Sequence, residues 1–581
     1  MRTTVGALAF ILATMLSSAV QAQIDDGFDA FWDEANADFD TFLEEEDKAF
    51  SDFLRDPWKE FESEKPDELP PRPEPPVPEH YDAKAHPADE QPTTIVIGEI
   101  FKLNRVSDGG NPVIKVADVD EMDFGTAPRR KQGGSKTVVR DTVVIAFDTS
   151  PRQMPARPAG DVRHEQPQPP AQDQGRQPAD EAPVQEQEPV PDEPSTPQPV
   201  TLPPVPPAQS ALSPDIPSAL LASGSGKVRV SFGGCDLWLT DVTGGTFRMA
   251  GTNESAVADA YDALAGTPYR TLLGECDKVR RAMRLNGWGY NRLIEAVAAS
   301  LATGADERTM LRFFLLKESG SDVRICRKAS TGRLMLMVAT DCGLFGYPYA
   351  EIGGRRYYNV TDRDVSPFYT CETVPGAARP VAMGLSAAPL FAGGGITSVH
   401  TSKRSPLTAS VTVPEGLAAF YKDYPQCDYA VYLGATVAPG VRQALLASLR
   451  PYVEGKGQAE AANLLIGFVQ TAFDYKTDGD QFGIEKPFFV EEMFCYPYSD
   501  CEDRAILYSF LVRELLGLDV VLLNYPEHMA TAVAFDEAVS GDNLSIGGRR
   551  FTVCDPTYIG APIGKAMPQF RGVKADVIVV D

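Results

Sequence analysis

Histidine is scarce in this chain, with five in 581 residues. Three of them, His80, His86 and His164, stand in proline-rich tracts, so only His400 and His528 remain as imidazoles for a folded domain. Cysteine is sparse too: nine residues and no Cys-x-x-Cys pair. That is neither a disulfide scaffold nor a zinc pattern, and the odd total leaves at least one thiol over. Cations are outnumbered, 54 Lys and Arg against 81 Asp and Glu. Such a balance excludes a nucleic-acid partner, because phosphate-backbone binding needs clustered positive charge. Past the N-terminus no apolar run approaches eighteen residues, so no transmembrane span is expected. No acidic calcium-loop pattern occurs, and neither metal nor other cofactor is expected.

The residues that are present divide the chain into tracts. Residues 1–22 read as a signal peptide: a positive start at Arg2, an apolar stretch from Val5 to Leu16, and a small-residue cleavage site at Val20-Gln21-Ala22. The mature chain is therefore expected to be exported, to the periplasm or the extracellular space. Residues 23–64 carry 16 Asp and Glu against 3 Lys and Arg. Within them Phe28, Phe39, Phe50 and Phe61 recur every eleven residues, close to three helical turns. This predicts an acidic amphipathic helix that either self-associates or docks a partner, coiled-coil fashion, or else folds only in context. Residues 65–92 form a Pro-rich linker. Residues 93–150 are a small β-rich segment with runs at Thr94–Ile97 and Thr142–Phe147, able to form a small sheet or to add a strand elsewhere. Residues 151–225, rich in Pro, Gln and Glu, are expected to be disordered, since they bury too little to offset chain entropy.

Two folded domains follow, 226–414 and 415–581, and they share a pattern. Leu311–Leu316, then Gly320 and Asp322-Val323, parallels Tyr508–Arg513, then Gly517 and Asp519-Val520. Further on, Ile352-Gly353-Gly354-Arg355-Arg356-Tyr357 parallels Ile546-Gly547-Gly548-Arg549-Arg550-Phe551. Both copies read as helix, glycine stop, strand, long hairpin, strand, which indicates an internal duplication.

The second copy carries the chemistry. Tyr498-Ser499-Asp500-Cys501-Glu502-Asp503 opens a helix, and Ser499 with Glu502 fits a capping box. Cys501 then lies in the first turn, where backbone N–H groups and the helix dipole favour thiolate. Asp500, Glu502 and Asp503 oppose that, so the thiol needs an imidazolium partner. His528 begins a strand candidate running to Phe535, and a second, Arg549–Cys554, ends at Asp555-Pro556-Thr557. Antiparallel pairing about Gly541-Asp542 would place His528 opposite Asp555 and Phe535 opposite Gly548. A thiol, an imidazole and a carboxylate in that relation suit nucleophilic acyl transfer. A lone Cys on a helix is more often inert core, and His400 has no such company.

Asp-Cys-Glu-Asp at a helix start, a His opening a strand and Asp-Pro-Thr closing the next resemble the transglutaminase-like branch of the papain-type thiol enzymes, of the exported bacterial kind. The resemblance covers residues 415–581. It implies an α+β fold with the Cys-bearing helix packed on an antiparallel sheet, with residues 226–414 a degenerate copy of similar architecture. It further implies Cys501 as nucleophile, His528 as general base and acid, and Asp555 as the group orienting the imidazole. One oxyanion donor should be the Cys501 amide; the second stays open among Gln481, Tyr496 and Tyr498, and Cys495 occupies the position of the papain-type Gln. The expected activity is acyl transfer from an amide of a protein or peptide through a cysteinyl thioester, with hydrolysis favoured. Amine transfer (cross-linking) and a non-catalytic peptide-binding scaffold are the alternatives. In the first copy the closing-glycine alignment puts Gly304 at the Cys501 position, aligning Leu334–Ala339 with Met529–Ala534 puts Arg333 at that of His528, and the Asp555 position falls on Thr361 or Asp362.

Overall fold

The computed structural model describes residues 44–69, 78–84, 91–104, 113–116, 213–376 and 378–580. The signal-peptide stretch, residues 23–43, the Thr142–Phe147 run and most of the proline-rich tracts lie outside them. The fold is mixed α+β, with several antiparallel sheets.

The duplication is visible in the topology. In the first repeat a helix, α1 (Ala305–Glu318), is followed by β1 (Val323–Lys328), β2 (Leu334–Val338), β3 (Tyr349–Ile352) and β4 (Arg355–Asn359). In the second, α2 (Cys501–Leu516) is followed by β5 (Asp519–Tyr525), β6 (His528–Ala534), β7 (Asn543–Ile546) and β8 (Arg549–Cys554). The strands lie in the order β1-β2-β4-β3 in one sheet and β5-β6-β8-β7 in the other, all antiparallel. The shared Ile-Gly-Gly-Arg-Arg is the tight turn of the last hairpin in each. Gly353 and Gly354 have φ of 61° and 75°, and Gly547 and Gly548 have 57° and 77°. Two consecutive positive φ values define the type I′ turn, which side chains with a Cβ resist. Asp322 pairs with Arg355 and Asp519 pairs with Arg549, so one ion pair recurs at the same place in both copies.

Each sheet grows outward from its first strand, and the N-terminal tract supplies part of each extension. Phe368–Thr370 and then Lys59–Phe61 continue beyond β1. Beyond β5 come β9 (Ala575–Val580), then Ile97–Asn104, parallel to β9, and Val113–Val116 at the edge. The β-rich segment after residue 93 thus adds strands to the catalytic-candidate domain.

Three boundaries differ from the sequence expectation. Among its described residues the acidic tract is helical over 44–54, and Phe61 lies in a strand. Pro57 ends the helical run, and Lys59–Phe61 leaves the helix axis to pair with Phe368–Thr370. The described end of the aromatic stripe packs internally: Phe50, Leu54 and Trp58 are buried, with Phe50 5.0 Å from Tyr261 and 6.4 Å from Phe313, ring to ring. The Pro-rich linker expected at 65–92 anchors Tyr81, whose N–H bonds Ile559 O at 2.9 Å. Residues 213–225, expected to be part of the disordered tract, pack instead: Ile216 and Leu220 are buried.

The second repeat's core explains why α2 shows little amphipathic contrast. Its residues Cys501–Val512 are all buried, as for a helix enclosed on every side. One face of the second sheet gathers Val521, Leu523, Ala532, Phe551, Val553 and Val577, in a cluster that contains no residue of α2. Truncating a fully buried side chain such as Phe551 would cost about 3–5 kcal/mol.

Candidate active site

Cys501 is the first residue of α2, one residue further into its cap than the sequence suggested. The capping box is formed by Asp500 and Asp503, not by Ser499 and Glu502. Ser499 Oγ instead accepts from the Arg504 guanidinium at 3.2 Å. The Asp503 carboxylate is drawn to the cap because it also accepts the Phe488 N–H at 2.8 Å, a tertiary bond that local spacing does not reveal. The thiol sits between two groups. Its sulfur accepts the N–H of Met529 at 3.2 Å, and it donates to Glu502 Oε2 at 3.1 Å.

Met529 directly follows His528, so this bond draws the head of α2 to the start of β6. His528 Nε2 lies 2.8 Å from Asp555 Oδ2. The other Asp555 oxygen accepts from the amides of Thr557 at 2.9 Å and Tyr558 at 3.1 Å, so the carboxylate is fixed on both sides. The structure thus brings the Cys501 sulfur to the Met529 amide, next to His528 in the chain, and the His528 ring to Asp555; the three residues are 0 %, 4 % and 2 % exposed.

The register differs from the expected one. Thr531 pairs with Cys554 and Val533 with Thr552, so Asp555 lies diagonal to His528, not directly opposite it. Likewise Phe535 is not opposite Gly548. The cause is β7: it forms the tight hairpin with β8, so no short turn sets the β6–β8 register. A shift of two keeps the same face, which is why the imidazole still reaches the carboxylate.

Several supporting residues gave no signal in the sequence. Phe570 stacks on the His528 ring at 4.9 Å with an interplanar angle of 17°, and Tyr525 lies 6.3 Å away, also stacked. Gln470, buried in the helix Gln458–Ala472, donates to the carbonyls of Asp555 at 3.1 Å and Tyr558 at 2.8 Å. It fixes the turn that carries the acid.

Buried acids surround the thiol. Burial first, then the charges of Asp503 and Glu502, push the Asp478 carboxyl up to about 10. Burial and then Glu502 hold Asp503 well above the usual carboxylate range. Both shifts favour the neutral carboxyl, which lessens the negative field the sequence placed against a Cys501 thiolate. Carboxylate oxygens of Asp478, Glu485 and Glu502, and of Asp478, Asp500 and Asp503, lie within 4.8 Å of one another. That spacing could hold a cation, but Lys486 Nζ already enters the region, 2.6 Å from Glu492.

The oxyanion candidates lie on separate elements. Gln481 ends the short helix Asp478–Gln481, Tyr496 stacks on Phe488 at 4.8 Å, and Tyr498 lies in the strand Tyr498–Ser499. The geometry does not single out one of them. His400 stands apart, its ring stacked on Phe473 at 4.5 Å.

The first repeat holds a different pair at the same place. The amide of Leu334, which aligns with Met529, donates to Asp306 Oδ1 at 2.9 Å. Arg333 aligns with His528 and its Nε lies 2.9 Å from Asp306 Oδ2. By contact, Asp306 stands for the thiol, two residues beyond the Gly304 given by the closing glycines, because α1 is shorter than α2. The β2–β4 register puts Thr361 at the Asp555 position, and its Oγ1 accepts from Leu336 N at 2.8 Å.

No family model, curated protein or solved structure matches the chain. Among the described residues no helix is long and apolar enough to cross a membrane.

Proposed function

We propose that residues 415–581 form a transglutaminase-like, papain-type thiol enzyme that hydrolyses amide bonds in a protein or peptide after export. The observation that supports this most directly is the Cys501 sulfur held by the Met529 amide, one residue after a His528 ring that Asp555 holds at 2.8 Å. With Nε2 bonded to Asp555, Nδ1 is the nitrogen that exchanges a proton with the thiol. The Cys501 thiolate attacks the amide carbon while the helix-terminal N–H of Cys501 receives the developing oxyanion. His528 protonates the departing amine, which leaves a thioester. His528 then takes a proton from water, the hydroxide adds to the thioester, and carboxylate and thiol are regenerated. Because the sulfur is fully buried, turnover requires Glu502 and the covering side chains to swing away from it.

That burial is also the observation favouring a second reading, a scaffold that keeps the fold and binds peptides without turnover. Iodoacetamide labelling of Cys501 across pH separates the two. The enzyme reading expects fast labelling with a pH step that disappears in His528→Ala. Slow, pH-flat labelling unchanged by His528→Ala would sink it. Comparing peptide cleavage with amine incorporation then distinguishes hydrolysis from cross-linking.

A further inference from the structure

Two buried cysteines outside the candidate site face each other where the two repeats join. Cys342 lies in the connection after β2, and Cys427 lies between the helices Glu415–Lys422 and Tyr429–Gly434 that open the second domain. The backbones there are locked together. Leu344 and Cys427 form an antiparallel bridge, Phe345 N donates to Gln426 O at 2.9 Å, and Gly343 N donates to Asp428 Oδ2 at 3.1 Å. Cys427 is 0 % exposed and Cys342 8 %. The side chains interact directly: the Cys427 thiol first, and burial second, push the Cys342 thiol well above its ordinary value.

We propose that Cys342 and Cys427 are an oxidation site, a dithiol that becomes a disulfide covalently joining the first repeat to the entry of the second. Disulfide formation needs two backbones held within a few ångströms and side chains pointing toward each other, and the bridge at Leu344 and Cys427 supplies that constraint. The other neighbouring pair fails the same requirement. Phe368 pairs with Lys328 and Tyr369 with Arg327, so Cys371 falls one position out of step with Cys326 and points to the opposite face.

The oxidant is an external disulfide, either of low molecular weight or on a thiol–disulfide oxidoreductase, of the kind an exported chain encounters. The Cys342 thiolate attacks it and expels one thiolate, giving a mixed disulfide. The Cys427 thiolate then attacks the Cys342 sulfur and expels the second. Each expelled thiolate takes up a proton lost by one of the cysteines, so one external disulfide becomes two thiols. High thiol pKa values in the closed fold make this slow once folding is complete. Oxidation therefore belongs to the folding stage, while residues 343–426 are still loosely closed. It leaves Cys501 reduced, since the nucleophile takes no part.

The test is oxidative refolding of the full chain in a glutathione redox buffer, followed by alkylation in denaturant without reductant and peptide mass mapping. Two of the nine cysteines should escape alkylation, with a linked peptide pair containing residues 342 and 427 and a mass lower by two hydrogens. Cys342→Ser should free Cys427 for labelling, and Cys427→Ser should free Cys342. Alkylation of all nine after oxidative refolding, or a link from either residue to a different cysteine, would overturn the proposal. The wild-type mapping decides the matter even if a variant fails to fold. Cys501→Ala should leave the link intact, so this outcome is separate from that of the enzyme reading.

Discussion

The two repeats carry the same helix, the same strand order and the same ion pair beside the tight turn, and they part company where the helix head meets the second strand. In the first, an amide at that junction is held by Asp306, itself paired with Arg333, whose side chain is 54 % exposed. In the second, the aligned amide is held by the Cys501 sulfur, beside a His528 side chain only 5 % exposed. The scaffold can therefore close this junction with either pair. Only one pair can cycle a proton. Arginine stays charged at any physiological pH, while imidazole gains and loses a proton near neutrality. The first repeat keeps the geometry and lacks the chemistry.

The largest effect that bears on this contrast is on turnover. His528→Ala or Cys501→Ala should lower amide hydrolysis by at least about 10³-fold, some 4 kcal/mol of transition-state stabilisation. Asp306→Ala and Arg333→Ala should leave kcat/KM within about two-fold. A comparable loss from Arg333→Ala would mean that both junctions contribute to catalysis.

The shared ion pairs offer the next comparison. Asp322 is 9 % exposed and also accepts from the Tyr357 hydroxyl at 3.0 Å, whereas Asp519 is 52 % exposed. Asp322→Ala leaves a half-buried guanidinium and a buried hydroxyl without their acceptor, and should cost about 2–3 kcal/mol in urea unfolding. Asp519→Ala should cost less than about 1 kcal/mol. Equal costs would show that the two pairs do the same work despite their different burial.

A third contrast lies in pH. The Asp478 carboxyl is neutral in the folded chain up to about pH 10, whereas in the unfolded chain it ionises near 3.8. The unfolded state therefore binds fewer protons between those limits, and stability falls as pH rises through that window. Asp478→Asn removes this site and keeps an oxygen for the Lys486 amide. It should flatten the pH dependence of unfolding between pH 5 and 8 by at most about 1.4 kcal/mol per pH unit. An unchanged slope in the variant would mean that Asp478 is ionised in the fold.

The sequence revealed those features whose physical requirement is local. Ile-Gly-Gly-Arg-Arg at both sites marks a turn that only consecutive glycines adopt readily, so the duplication could be read. Cys501, His528 and Asp555 stand at element ends, where helix caps and a proline-terminated strand leave clear marks. Features set by distant partners could not be read. The cap moved one residue because Phe488 holds Asp503. The β6–β8 register moved by two because β7 takes the hairpin turn. The eleven-residue stripe stopped being helical where a strand of the first sheet captured Lys59–Phe61. Asp306 was missed because two helices of unequal length align differently by their glycines than by their contacts.

The smallest expected effect tests that last correspondence. Arg333 and Asp306 form a partly exposed ion pair, so Arg333→Ala should cost about 0.5 kcal/mol or less, and less still in high salt. Asp306→Ala should cost more, about 1–2 kcal/mol, because the amide of Leu334 then loses its acceptor at a half-buried site. A double-mutant cycle over urea unfolding isolates the pair from the amide bond. If the holding of this amide, and not the ion pair, is what the two repeats share, Asp306→Asn should recover most of the loss, since the amide oxygen can still accept from Leu334. Equal damage from Asp306→Asn and Asp306→Ala would instead assign the junction's stability to charge, and the parallel with the Cys501 sulfur would fail.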